Sequence, residues 1–113
     1  MSTEFPDREL ITDPAEDLPP PAGFRRLVFQ DGFVRRNGVP MVRLDDDGQP
    51  EFGWRVTRQV ANPLGALHGG WIASMFDMSL AAAPRLTDPV IAERFLLTVN
   101  LTVDYLGGAK LGD

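Results

Sequence analysis

The chain has 113 residues, enough for one domain with a modest core. Hydrophobic residues make up 43% and charged residues 24%, and the formal net charge is −5, which weighs against nucleic acid and anionic membrane surfaces as partners while leaving room for a polyanionic small ligand on a local basic patch. With no cysteine, disulfides, thiolate nucleophiles and cysteine-bound metals are excluded, and a single histidine without surrounding carboxylates calls for no metal or cofactor.

The start, "MSTEFPDREL", lacks a basic segment leading into an apolar one, so it does not read as a secretory leader. No apolar run reaches about 18 residues, so no membrane span is expected and a reduced cytoplasmic setting is the default. Residues 1–23 are acidic and proline-rich, too poor in apolar side chains for a core, and read as a flexible arm. From Phe24 to Gly38 apolar and basic residues mix around two turn signals, Asp31-Gly32 and Asn37-Gly38, and leave short helix and strand both open.

"MVRL" (Met41 to Leu44) reads as a strand, "DDDGQP" (Asp45 to Pro50) as a turn, and "FGWRVTRQV" (Phe52 to Val60) as a second strand. Phe52, Trp54, Val56 and Val60 share one face of it, so the pair is expected to be a hairpin with one buried face. "GGWIASMFDMSLAAAP" (Gly69 to Pro84) reads as a helix ending at its proline, apolar nearly all round and so expected to be covered on every side. At about 100° per residue, Ile72, Met75, Phe76, Ser79, Leu80 and Ala83 would face a sheet. Gly70, Ala73, Ser74, Asp77 and Ala81 would face away, and all but Asp77 are small enough to admit another backbone. The same helix of a second subunit is the simplest candidate. "FLLTVNLTVDYL" (Phe95 to Leu106) is the clearest strand, with Phe95, Leu97, Val99, Leu101, Val103 and Tyr105 on an apolar face. The expected fold class is α+β: a curved antiparallel sheet wrapped around one central helix.

Two places on the helix carry chemistry. Gly69 and Gly70 open it, where backbone N–H groups lack intrahelical acceptors and a carbonyl oxygen gaining negative charge would be stabilised. Asp77 is a lone carboxylate in apolar surroundings, costly there unless paired or protonated. The bland alternatives are a plain turn before a helix for the glycines and an arginine partner for the aspartate. Asp77 lies eight residues after Gly69, about 12 Å along the axis, too far to act on a carbonyl held by Gly69 of the same chain. Two antiparallel helices across a two-fold axis would bring Gly69 of one chain to Asp77 of the other.

"NPLGALHGGWIASMFD" followed by "TVNLTVDYLGGAKLGD" resembles the hotdog-fold acyl-CoA thioesterases of the phenylacetyl-CoA thioesterase-like group, within the 4-hydroxybenzoyl-CoA thioesterase superfamily. The resemblance runs from Phe24 to Asp113, taken as one domain, and centres on Asn62, Gly65, His68, Gly69, Gly70 and Asp77. It implies hydrolysis of an acyl-CoA thioester with Asp77 as nucleophile or general base and the Gly69 N–H as oxyanion donor. It also implies Asn62 positioning water or thioester, His68 supporting the loop, Thr98 near the water, and Gly65 and Gly70 beside the substrate. A homodimer or homotetramer with shared sites follows from the same likeness, and no metal or redox cofactor does.

Coenzyme A phosphates are expected on surface cations, with Lys110, Arg58 and Arg94 as candidates. Trp71, Phe76 and Leu80 are expected to fill the core rather than shape an acyl pocket. Members of the family continue past "AKLGD" with further strands, so the sheet is expected to lack its last strands in this chain. The alternative is a non-catalytic hotdog module that binds acyl-CoA or assembles without turnover. A hydratase or dehydratase is a weaker third reading, because no acid–base pair surrounds the histidine.

Overall fold

The computed structural model describes residues 18–29 and 31–113, and the flexible arm expected over residues 1–23 lies outside the described residues up to residue 17. Three antiparallel strands form a sheet in the order β1-β2-β3: β1 is Arg25–Arg26, β2 is Met41–Leu44 and β3 is Pro50–Gly53. Between β1 and β2 lies a four-residue helix, α1, at Phe33–Arg36, so the stretch that left helix and strand open holds one short piece of each.

The β2–β3 hairpin forms where the turn chemistry directs it. Asp45 Oδ1 accepts from the Asp47 N–H at 2.9 Å and the Gln49 N–H at 2.8 Å, and Gly48 takes φ 77°, a conformation that favours glycine. The register places Arg43 opposite Glu51, and their side chains form an ion pair at 2.7 Å. The second strand is shorter than its alternation suggests. Pairing with β2 stops at Gly53 opposite Met41, and Arg58–Val60 is a 3-10 turn. The reason lies in the partners: Val56 bonds the end of the chain instead, donating to the Asp113 carbonyl at 3.0 Å and accepting from the Gly112 N–H at 3.0 Å.

The main helix, α2, spans Gly69–Thr87 and runs three residues past Pro84. Pro84 falls in its last turn, where the missing N–H leaves only the Leu80 carbonyl without its helical donor. Ser74, Ser79 and Thr87 turn their hydroxyls back onto the carbonyls of Gly70, Met75 and Ala83, at 2.9, 2.7 and 3.1 Å, so these polar groups need no partner from elsewhere. Asp88 ends α2 and caps the four-residue α3, Pro89–Ala92, by accepting from the Val90 N–H at 2.9 Å.

The core sits where α2 crosses the hairpin: Met41, Val42, Val56, Val60 and Met75 are buried. Trp71 joins it, edge-on to Trp54 at 5.6 Å, with its indole N–H donating to the Asn37 carbonyl. Two expectations about α2 are corrected. The helix is not covered on every side, and Phe76 (53% exposed) and Leu80 (64%) do not fill the core as Trp71 does. Of the three short strands it is β3 that packs against α2, and it covers one side only.

The long strand expected at Phe95–Leu106 does not form. Residues 95–109 pair with no strand among the described residues, and Phe95, Leu97, Val99 and Leu106 are each at least 88% exposed. A strand exists only where a neighbour supplies a ladder. None of the three strands of this sheet pairs with the segment, which is tied instead to α2.

Candidate active site

The loop before α2 is built from its own backbone and one side chain. Asn62 Oδ1 accepts from the Leu64 and Ala66 N–H groups at 3.0 and 3.1 Å, closing a turn that Gly65 completes at φ 81°. The Gly65 N–H reaches the Asn62 carbonyl at 3.0 Å, and the His68 N–H reaches the Val60 carbonyl at 2.9 Å. On the other side the loop is held by the end of the chain, with Leu67 N–H donating to the Ala109 carbonyl at 2.9 Å and Leu111 N–H to the Gly65 carbonyl at 3.1 Å. Asn62 and Gly65 therefore shape the loop, and the Asn62 side-chain oxygen is fully engaged in doing so.

His68 is the N-cap of α2. Its Nδ1 accepts from the Gly70 N–H at 3.0 Å and from the Trp71 N–H at 3.4 Å. That geometry makes Nδ1 the unprotonated ring nitrogen and puts the proton on Nε2. The Gly70 N–H is thus taken by the cap. A side chain at Gly70 would meet the His68 ring at 3.1 Å, so the glycine gives the cap room. The Gly69 N–H has no acceptor among the described residues, and it sits at the positive end of α2.

Asp77 lies two turns further on, half-buried, and its Oδ1 accepts a hydrogen bond from the Thr98 hydroxyl. The two residues are 21 apart in sequence, so this bond fastens the irregular 95–106 segment to the helix. A second tie runs from the Tyr105 hydroxyl to the Gly69 carbonyl at 2.7 Å, and the Tyr105 ring packs beside Gly69. The segment thus runs antiparallel to α2 from Asp77 back to Gly69. On the small-residue side, expected to admit a neighbouring helix, Asp77 is reached by this chain's own Thr98 side chain.

Of the expected site residues, the structure joins Asp77 to Thr98 and joins His68, Gly69 and Gly70 at the start of α2. It leaves Asn62 and Gly65 in the loop. Tyr105 was missed, because its alternation placed it among the apolar residues of a strand. A lone phenol among aliphatic side chains is the signal that could have found it, since its hydroxyl needs a partner. Among the described residues no group of three or more histidine or acidic side chains could hold a metal ion, and no helix is long and apolar enough to cross a membrane.

No curated protein and no solved structure matches the chain. A family model, described as the thioesterase superfamily, matches residues 64–113. The matched segment contains Gly65, His68, Gly69, Gly70, Asp77 and Thr98 and begins two residues after Asn62. Over the part of the chain that carries the α2 N-terminus and the Asp77–Thr98 pair, this protein is similar to the thioesterase superfamily.

Proposed function

We propose that the chain hydrolyses an acyl-CoA thioester, with Asp77 as the carboxylate that attacks the carbonyl or takes a proton from water. The observation that carries this reading is the Asp77–Thr98 hydrogen bond, which lies on α2 within the segment similar to thioesterases. The Thr98 hydroxyl occupies Oδ1 and orients the carboxylate, leaving Oδ2 to receive a proton. In the general-base form, water oxygen bonds the carbonyl carbon, the carbon–sulfur bond breaks, and the water proton passes through Asp77 to the departing thiolate. In the nucleophilic form an Asp77 oxygen bonds the carbonyl carbon as the carbon–sulfur bond breaks and the thiolate leaves, and water then cleaves the acyl–Asp77 anhydride, its proton going to the thiolate.

The Gly69 N–H is the donor for the developing oxyanion, aided by the helix dipole. His68 serves it by capping the neighbouring N–H groups and fixing the first turn. Because about 12 Å of helix separates Gly69 from Asp77, the two groups act on one carbonyl only if a second copy supplies one of them. A homodimer or homotetramer with the site shared between copies is therefore part of the proposal, as is closure of a hotdog sheet around α2.

The test is free thiol released from a panel of aryl and aliphatic acyl-CoA substrates, with light scattering on the same sample. Turnover by an oligomer is expected. Tight binding without turnover would favour an assembly or binding module, and turnover by a folded monomer would contradict the shared site.

A further inference from the structure

A cleft of about 400 Å³ lies beside the sheet, within the ~300–1,000 Å³ range of small-molecule sites. Four arginines line it: Arg26 from β1, Arg35 and Arg36 from α1, and Arg55 from just beyond β3. In a chain of net charge −5 this is a local concentration of positive charge. Among the described residues only Arg36 of these four has a carboxylate partner, Asp31 at 2.8 Å. Arg26 and Arg55 donate to the neutral carbonyls of Leu18 and Pro19, at 3.0 and 3.2 Å, and neither forms an ion pair with a carboxylate among the described residues. Arg35 makes no ion pair or hydrogen bond with a described residue, and Arg55 Nε is sealed from solvent without a hydrogen-bond partner. Planar guanidinium groups converging on one concavity are suited to phosphate oxygens, which they meet through paired N–H donors.

The cleft wall meets the first turn of α2, where the Trp71 indole N–H donates to the Asn37 carbonyl next to Gly38. Gly38, on its wall, leaves only 3.4 Å between a side-chain position and the Trp71 ring, and Trp71 is two residues from Gly69. We infer that this arginine cleft binds the phosphate-bearing end of the thioester substrate, an adenosine bisphosphate moiety, while the acyl end reaches α2; this rests on the function proposed above. None of Lys110, Arg58 or Arg94, the cations suggested by sequence, lines the cleft.

The experiment is calorimetric titration of the full chain with adenosine 3′,5′-bisphosphate at low salt, with inorganic phosphate as a second ligand. Parent, Arg35→Ala, Arg55→Ala and Arg94→Ala are compared, the last removing one charge outside the cleft. Expected are binding of the bisphosphate more tightly than phosphate, at least a tenfold loss in Arg35→Ala and Arg55→Ala, and less than a twofold change in Arg94→Ala. Arg35 is exposed and contributes nothing to the core, so its variant stays informative if Arg55→Ala fails to fold. No binding by the parent, or equal losses in all three variants, overturns the inference. Hydrolysis of a phosphate-free N-acetylcysteamine thioester separates this failure from failure of the hydrolase reading. With acyl-CoA, Arg35→Ala is expected to raise KM about tenfold at unchanged kcat, and with the phosphate-free substrate to change neither.

Discussion

Residues 41–60 and residues 95–106 carry the same kind of sequence signal and have opposite fates. Both alternate apolar and polar side chains. In the first, Met41, Val42, Val56 and Val60 are 7% exposed or less and form the core together with Met75. In the second, Val99 is fully exposed, and the segment is held to α2 by two side-chain hydrogen bonds. Alternation defines a face, and burial depends on what meets that face. The hairpin carries its partner five residues away across a turn that Asp45 and Gly48 close, whereas the later segment finds no strand beside it.

The contrast is sharpest in stability. Met75→Ala removes a fully buried side chain where helix and hairpin meet, and should cost about 2–5 kcal/mol in urea unfolding. A cost near zero would mean that the core lies elsewhere. Gly65→Ala forces an L-residue to φ 81° in the loop and should cost about 1–2 kcal/mol by the same measurement. His68→Ala removes the α2 N-cap, at about 1 kcal/mol, and His68→Asn should recover most of that because asparagine caps equally well. At the other end of the scale, Val99→Ser should change stability by less than about 0.5 kcal/mol in dilute monomeric chain. A loss as large as that of Met75→Ala would show that another surface covers residues 95–106 in solution, and its dependence on protein concentration would identify a second copy.

Much of the scaffold was legible. The strand at Met41–Leu44, the turn after it and the helix from Gly69 each follow from local chemistry: alternation, an Asx turn with glycine, and a run rich in alanine, methionine and leucine. What was not legible depended on tertiary partners. The strand after Phe52 stops because Val56 bonds residues 112 and 113, and α2 passes Pro84 because a proline in the last turn removes a single bond. At the site, the small-residue side of α2 and its lone carboxylate stand out in sequence. That His68 takes the Gly70 N–H, that Thr98 reaches Asp77 and that Tyr105 reaches Gly69 are relations between side chains far apart or differently aimed, which spacing does not encode. The arginine cleft was hidden for the same reason, since its four cations come from three separate elements.

The Asp77–Thr98 bond is the one place where the fastening of the exposed segment and the proposed chemistry coincide, so the two roles must be separated there. The decisive measurement is kcat for acyl-CoA hydrolysis by Asp77→Asn, beside its urea unfolding midpoint. Asparagine keeps an oxygen to accept from Thr98 but supplies neither a base nor a nucleophile. The account predicts at least about a 100-fold fall in kcat with little change in the midpoint. An unchanged kcat would contradict it and leave Asp77 as a tie between the helix and the chain that crosses it.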